Sequence, residues 1–241
     1  NQIETWAKIQ ADRFKNNVIR GFHTELETVY EEKNMSLTQD GRKVIDAILA
    51  ALYTKHPYGT QTILGSQEHL KNPSITNIKN FYKQWYVPNN MAICMSGDFD
   101  YDEAMDVIEK YFGDMQPNKD LQMMDFETEP EITTPVEREV MGLESENVTM
   151  AWRLPGATSD EALMLEVVDA IMNNGKAGII DLNLLQEQKL LSAYSFPYAM
   201  ADYTSYILQG TPKEGQDLDE VRARMLAQVD SLRQGKWDES L

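Results

Sequence analysis

The residues of this sequence with the clearest chemical potential are carboxylates in an acidic segment near its beginning. Residues 22–33 read FHTELETVYEEK. Glu25 and Glu32 are seven positions apart, which is two turns of a helix, so they point in the same direction if this segment is helical. Carboxylates held on one face can serve as metal ligands or in acid–base chemistry.

Two other interpretations of the same segment remain open. His23 and Glu27 are four positions apart and could form a two-ligand metal face on a helix. A run of acidic residues on a helix is more often a solvated surface with no ligand at all. Spacing alone does not choose between these three possibilities.

The rest of the sequence contains no complete catalytic motif. His56 precedes a proline in a predicted turn and is expected to be a loop or capping residue, and His69 has no histidine four positions before it. The sequence has no H-E-x-x-H, H-x-x-E-H, G-x-S-x-G, P-loop or G-x-G-x-x-G motif. Serine, cysteine and nucleotide chemistry are therefore unsupported.

The predicted elements are helices in the first half and a mixture of strands and helices in the second. Apolar spacing, capping residues and breakers predict helices over about 3–33, 38–53, 74–87, 100–112, 159–171, 179–189 and 217–233. Strands are predicted over 91–96, 148–154, 193–199 and 203–210. Between them, residues 115–135 are rich in acidic residues and proline and are predicted to be an exposed linker.

The predicted core consists of apolar residues in the inward phases of these elements. Cys94, inside the apolar run 91–95, is expected to be a small buried side chain. The other residues expected to be mostly buried are Tyr82, Trp85, Met91, Ile93, Met95, Ile108, Phe112, Met150, Trp152, Leu165, Val168 and Tyr194.

Composition excludes several classes of protein. The 241 residues include 22 Lys and Arg against 39 Asp and Glu, a formal charge of −17, which argues against a general nucleic-acid binder. No apolar run approaches the length that spans a membrane. The first residues show no targeting signal and lead directly into an amphipathic helix, so we expect a segment from the middle of a longer protein.

A series of short motifs, in order, resembles the pitrilysin/insulinase family of zinc peptidases, the inverted zincins. They are ELETVYEE at 25–32, HPYG at 56–59 with ILG at 63–65, FY at 81–82, YVPNNM at 86–91, SGDFD at 96–100, EKYFG at 109–113 and LLQEQKLLSAYS at 184–195. Gln186 and Gln188 depart from the family's pattern. The resemblance covers nearly the whole sequence.

The resemblance implies a zinc site that is only partly present here. In that family two histidines and a distal glutamate hold Zn²⁺, and the glutamate of H-x-x-E-H takes a proton from the metal-bound water. By alignment Glu32 is the distal zinc ligand, with Glu31 as the neighbouring alternative, and Glu25 supports the metal site and catalysis. Because the histidines are missing, Zn²⁺ is expected in the full-length parent and not on this chain alone.

The resemblance also implies the fold and the domain organisation. We expect an α+β fold with mostly antiparallel sheets flanked by helices, in two half-domain units like those of mitochondrial processing peptidase. Residues 1–114 would be the latter half of the first, metal-bearing domain, 115–135 the acidic linker, and 136–241 the first half of the second domain.

The function expected from the resemblance is that of a segment of a zinc metalloendopeptidase, inactive by itself. The alternatives are a non-catalytic scaffold or substrate-binding partner of an active peptidase subunit, and a plain interaction module. Expected partners are peptide substrates and either a second copy or a paired peptidase subunit, with no nucleic acid and no membrane. Association between copies is favoured, through apolar residues of the first helices, and the location leans to the periplasm or cell envelope.

Overall fold

The structure, a computed structural model, describes residues 2–237, and its contacts divide the chain into two compact units. Unit 1 comprises Asn1–Met35 and Ile63–Glu127, and unit 2 comprises Ser36–Thr62 and Thr128–Leu241. This division by contacts assigns residues 36–62 to unit 2. The predicted family domains, 1–114 and 136–241, remain a prediction.

Unit 1 is built from helices. They are α1 (Ile3–Lys15), α2 (Phe22–Ser36, whose last residue falls in unit 2), α5 (Gln67–Lys71), α6 (Ile75–Trp85) and α7 (Tyr101–Phe112), with a short 3₁₀ turn at Pro88–Asn90. The helices start where the sequence supplies caps: the Ser74 hydroxyl accepts from the Asn77 N–H at 3.2 Å, and the Asp100 carboxylate from the Glu103 N–H at 3.0 Å. Within residues 2–35 and 63–127 the structure contains no strand.

Unit 2 combines helices with an antiparallel sheet. Its elements are α3 (Asp40–Leu52), α4 (Pro57–Thr60), β1 (Val148–Pro155), α8 (Asp160–Met172), a π-helical turn (Asp181–Gln186), β2 (Ser192–Ala199), β3 (Tyr203–Thr211) and α9 (Leu218–Arg233). The strand order is β1-β3-β2, with Met150 opposite Leu208 and Leu208 opposite Ser195. This architecture confirms the predicted α+β class.

The core of unit 2 lies between one face of the sheet and the helices α8 and α9. It contains Met172, Ile179, Ile180, Leu184, Leu190, Ala193, Leu208, Val221 and Met225, all buried. Gly210 on β3 permits the close approach of α9, because a Cβ at this position would lie 2.9 Å from Val221 Cγ1 and 3.2 Å from Met225 Cγ. A larger residue there would push the helix away from the strand.

Several predictions about local structure are wrong. Residues 91–96 are extended but pair with no strand in the described part of the chain, and Cys94 is exposed instead of buried. The helix predicted over 179–189 is shorter in the structure, where residues 179–180 are helical and Asp181–Gln186 form the π-helical turn. The helices predicted over 3–33 are present as α1 and α2, separated near Gly21 with φ +62°.

The predicted core is also less buried than expected. Among its members Leu165 is buried, seven are half-buried, and Met91, Ile93, Trp152 and Tyr194 are exposed. In unit 1 the reason is the absence of a sheet from its described residues, which leaves the apolar faces of its helices without a second layer.

Candidate functional site

Helix α2 carries the two glutamates singled out from the sequence. Its backbone is helical from Phe22 to Ser36, and the Glu25 N–H donates to the Gly21 carbonyl at 3.0 Å. Glu25 and Glu32 are therefore separated by two full turns, a rise of about 10.5 Å, and lie on one face. Both side chains are exposed. The helix thus presents two carboxylates in register, as the spacing predicted.

The carboxylates of Glu25 and Glu32 are available for a ligand. Neither forms a hydrogen bond or an ion pair with any residue of 2–237. The same part of the chain contains no group of three or more His, Cys, Asp or Glu side chains arranged to hold a metal ion. The residues present fit part of a zinc site, because carboxylate oxygen is a zinc ligand, but they do not form a full ligand set.

The neighbouring candidates on α2 have other surroundings. His23 is exposed and its ring packs edge-on against Phe22, with centroids 5.6 Å apart. Glu27 is exposed, and Glu31 accepts a long hydrogen bond of 3.5 Å from Asn34 Nδ2. The structure therefore brings no additional metal-binding group to the His23–Glu27 face within the described residues.

A buried carboxylate that sequence reasoning missed is Glu129, inside the segment predicted to be an exposed linker. Its side chain is almost completely buried, and Oε1 accepts from the N–H groups of Lys55 and His56, each at 2.7 Å. Its Oε2 accepts from the Thr54 hydroxyl at 3.1 Å and lies 3.6 Å from Arg153 Nη1. Glu129 therefore anchors this part of the segment to the α3–α4 loop.

The charge of Glu129 is retained in spite of burial. Burial acts to raise its pKa, but the donors of His56, Lys55 and Thr54 outweigh burial, so that the pKa of Glu129 lies below its ordinary value. The guanidinium of Arg153, close to Glu129, is itself held in place because it donates to the Leu52 and Pro130 carbonyls. No short motif marks this cluster, since its members come from three distant parts of the sequence.

His56 is the N-cap of α4, in agreement with the capping role predicted for it. The ring is 2% exposed, and its Nδ1 accepts from the Tyr58 N–H at 3.2 Å. The proton of the neutral ring is therefore on Nε2, which lies 3.1 Å from Asp202 Oδ2. Tyr53 and Tyr203 enclose the ring, with centroids 6.3 and 5.5 Å away. The arrangement orders the loop and has no open position for a substrate.

A half-buried carboxylate, Asp169 on α8, joins that helix to the sheet. Its Oδ1 accepts from the Ser195 hydroxyl at 2.6 Å and from the Tyr206 hydroxyl at 2.9 Å. Burial raises the pKa of Asp169, and the two hydrogen bonds oppose that rise. Ser195 and Asp169 have no histidine partner among the contacts of this cluster, so its chemistry is structural and not nucleophilic.

The turn at residues 174–178 is also internally satisfied. Asn174 Oδ1 accepts from the N–H groups of Lys176, Ala177 and Gly178, and Asp181 Oδ2 accepts from those of Asn174 and Gly178. These acceptors occupy the amides that a glycine-containing turn could otherwise offer to an anion. Asp181 is buried and fixes the start of the π-helical turn.

Comparison with known proteins decides which family the chain represents. A family sequence profile described as the peptidase M16 inactive domain matches residues 74–241, which are 168 of the 241 residues. The chain belongs to the peptidase M16 family. The resemblance to the pitrilysin/insulinase zinc peptidases is thereby confirmed.

The M16 relatives also support the assignment. A zinc protease of Helicobacter pylori, named PqqE, is 20% identical over 197 residues, covering 76% of this chain and 42% of that protein. The structure of a protease from the same organism matches 99% of this chain and 59% of its own, with a TM-score of 0.80 and 17% identity. The structure of the first half of the Escherichia coli periplasmic protease PqqL also resembles this chain. The match covers 99% of this chain and 52% of that one, with a TM-score of 0.74 and 15% identity.

These comparisons establish an M16 segment with the M16 fold. The chain spans less than half the length of the curated relatives it matches. The M16 profile match begins at Ser74, the N-cap of α6, so α2 lies before it. The roles of Glu25 and Glu32 therefore remain predictions.

Proposed function

We propose that this chain is a segment of a zinc metalloendopeptidase that hydrolyses peptides with a metal-activated water. The observation that carries the proposal is the face of α2, where two exposed carboxylates without partners stand two turns apart in a chain of the M16 family. One relative of the chain is named a zinc protease, and another is named a probable mitochondrial-processing peptidase subunit. Peptides are the proposed substrates.

In the proposed site Glu32 is the distal ligand and Glu25 supports it. Bound Zn²⁺ supplies a water of lowered pKa as the nucleophile. The Glu32 carboxylate would supply oxygen and negative charge to the ligand set. Glu25, on the same face of α2 and two turns away, would orient groups around that ligand and balance charge. The two histidines and the catalytic base belong to a part of the full-length protein outside these residues, so this chain alone is inactive.

The domain organisation proposed is the one expected from the sequence, with a metal-bearing half-domain at 1–114, a connecting segment at 115–135 and a second half-domain at 136–241. A periplasmic or cell-envelope location is supported by the location stated for the E. coli relative. No helix among the described residues is long and apolar enough to cross a membrane.

A test of the site uses three isosteric substitutions in the full-length protein. Glu32→Gln should lower zinc affinity roughly 10- to 100-fold or more and abolish peptide cleavage, whereas Glu25→Gln should retain zinc and reduce turnover. Glu27→Gln is the matched control, because Glu27 is also exposed on α2 but faces away, and it should leave both unchanged. Zinc content by elemental analysis and cleavage of a fluorogenic peptide are the readouts.

The same experiment distinguishes the alternatives. A fourth substitution, Glu31→Gln, tests the neighbouring residue: if Glu31→Gln and not Glu32→Gln releases zinc, the ligand is Glu31. If Glu25→Gln and Glu32→Gln both cleave peptides at the parental rate, the assignment to α2 is wrong.

A second candidate function is a non-catalytic scaffold or substrate-binding partner of an active peptidase subunit. It is favoured by the description of the matching profile as an inactive domain. In that case the full-length protein alone would not cleave peptides, and adding an active subunit would restore cleavage that Glu32→Gln does not affect.

A further inference from the structure

Unit 1 contains a pocket of about 300 Å³ between the last turn of α1, the residues that follow it, and one face of α6. Every residue that lines the pocket belongs to unit 1, and none belongs to α2. The pocket therefore does not include Glu25 or Glu32. Its volume is at the lower end of the range for small-molecule sites, which is enough for one ring and a charged group.

The walls of the pocket are aromatic and aliphatic. Tyr82 and Tyr86 stack with their ring centroids 4.4 Å apart and an angle of 10° between the ring planes. Phe14, Ile19 and Ile78 supply the remaining apolar surface. The Tyr82 hydroxyl donates to the Phe14 carbonyl at 3.4 Å, which joins α6 to the end of α1. A flat apolar group of a ligand can pack against such rings.

Two polar side chains, Arg13 and Asn17, also line the pocket. Both are exposed, and neither side chain forms a hydrogen bond or an ion pair with a described residue. The Arg13 guanidinium lies 5.7 Å from the centre of the Phe14 ring. Asp12, the acid next to Arg13 in sequence, accepts instead from Asn16 Nδ2 at 2.8 Å. A guanidinium at an apolar wall without a carboxylate partner is suited to bind the carboxylate of a ligand through two parallel hydrogen bonds.

The surroundings of the pocket are positive in a strongly acidic chain. The two segments that form it, residues 13–20 and 74–87, contain five of the 22 Lys and Arg of the sequence and none of its 39 Asp and Glu. Of these five cations, Lys15 alone has an acidic partner among the described residues, Asp114. In a chain with a formal charge of −17, this distribution favours an anionic ligand at the pocket.

We propose that the pocket binds a carboxylate joined to a flat apolar group, with Arg13 holding the carboxylate and Tyr82 and Tyr86 contacting the apolar group. Arg13 is the only cation among the described residues that line the pocket, which matches a singly charged carboxylate better than a phosphate. The Asn17 amide can add a hydrogen bond to the carboxylate or to a neighbouring peptide group.

Two sources of this ligand chemistry fit the pocket. One is the last residue of a peptide that ends in an aromatic side chain, and the other is a free aromatic acid. The inference goes beyond the proposed function and does not rest on it, because the pocket requires neither zinc nor peptide cleavage.

A ligand-observed NMR titration of the full-length protein tests the proposal, after zinc has been removed with a chelator so that no peptide is cleaved. The probes are acetyl-Ala-Ala-Phe with a free carboxylate, the same peptide with a carboxamide end, and 3-phenylpropionate. We expect the free-carboxylate peptide to bind roughly tenfold or more tightly than its carboxamide, because the carboxamide cannot form the charged pair with Arg13.

Two exposed arginines provide a variant and its matched control. Arg13→Gln should weaken binding of the free-carboxylate peptide roughly tenfold or more and remove its preference over the carboxamide. Arg20 is also exposed and unpaired within the described chain but does not line the pocket, so Arg20→Gln should change the dissociation constant by less than about twofold. Tyr86→Ala should weaken binding of all three probes, because it removes one ring of the stack. The thermal midpoint of each variant checks that it is folded.

The results separate the two sources and define what would overturn the proposal. Tighter binding of the peptide than of 3-phenylpropionate would support the site with a peptide end as its ligand, and equal affinities would support it with a free aromatic acid. Equal affinities for the free and amidated peptides, equal losses in Arg13→Gln and Arg20→Gln, or no binding of the acids up to about 10 mM would each overturn it. Zinc content and peptide cleavage are measured separately, so a failure of the proposed function would leave these outcomes unchanged.

Discussion

A buried carboxylate stays charged only if enough donors surround it, and Glu129 has three N–H or hydroxyl donors and a nearby guanidinium. Asp169 shows the opposite balance, because two hydroxyl donors do not compensate for its burial. The two residues should therefore affect stability with opposite dependence on pH.

Replacing Glu129 should show the strength of the anchor. Glu129→Gln turns one acceptor oxygen into a donor that faces other donors, and we expect the free energy of unfolding to fall by about 1–3 kcal/mol. Glu131→Gln, two positions away and exposed, should change it by less than about 0.5 kcal/mol. Urea denaturation followed by tryptophan fluorescence measures both changes. Equal midpoints for the two variants would contradict the inference that Glu129 anchors its segment to the α3–α4 loop.

The pH dependence follows from the direction of the Glu129 shift. Its folded pKa lies below the ordinary value of 4.5, so its contribution is complete above the unfolded pKa and is lost as the pH falls through the folded pKa. We expect urea midpoints to decrease below about pH 4.5 more steeply in the native chain than in Glu129→Gln. Parallel curves for the two proteins would show that Glu129 does not titrate as inferred.

The hydroxyl of Tyr206 joins β3 to α8 through Asp169. Tyr206→Phe removes one donor from that half-buried carboxylate, so we expect a loss of about 1–2 kcal/mol of stability and a further rise in the pKa of Asp169. Tyr198→Phe is the control on β2, because its hydroxyl has no partner among the described residues. A similar stability of the two variants in thermal denaturation would be evidence against this link.

Among the elements, the close contact of β3 with α9 depends on Gly210 having no side chain. Gly210→Ala would place a Cβ within 2.9 Å of Val221, so we expect a destabilisation of about 1–3 kcal/mol from overpacking. Gly41→Ala, in helix α3 with no atom within 4 Å of the new Cβ, should instead stabilise by about 0.5–1 kcal/mol. Changes of the same sign in differential scanning calorimetry would contradict this interpretation of Gly210.

The strands of unit 2 and its last helix could be predicted from sequence because their signals are local. β1 ends at a Pro-Gly pair, α9 begins at its Asp217 cap, and β2 and β3 flank a short turn. Residues 91–96 have an equally strong strand pattern, but strand formation also requires a partner, and the described chain provides none. Glu129 could not be predicted, because its donors are more than 70 positions away.

The candidate site was predictable only in its local part. The seven-residue spacing correctly indicated that Glu25 and Glu32 share a face of α2. Whether this face holds zinc depends on histidines far away in sequence or in another polypeptide, and no periodicity can reveal that. His56 is an intermediate case, since the proline after it indicated the cap but not the burial by Tyr53 and Tyr203.

For the whole molecule, the exposed apolar residues of the first helix make association between copies of the isolated chain an expected outcome. Ile9 on α1 is exposed. Light scattering should show a mass above 27.6 kDa that rises with concentration, and Ile9→Lys should lower it towards that of the monomer. Ile63→Lys is the control, because it makes the same substitution at an exposed isoleucine outside the first helices, and it should leave the mass unchanged. A monomer at all concentrations would exclude this mode of association.

The strand order β1-β3-β2 also determines when each part of the sheet can form. β2 and β3 are joined by three residues, whereas 47 residues separate β1 from β3. Closing the longer loop costs more chain entropy, so the β2–β3 hairpin should nucleate and β1 should add late. A ribosome would release the complete hairpin well after β1, and β1 would wait, unpaired, until the strand it needs had been synthesised.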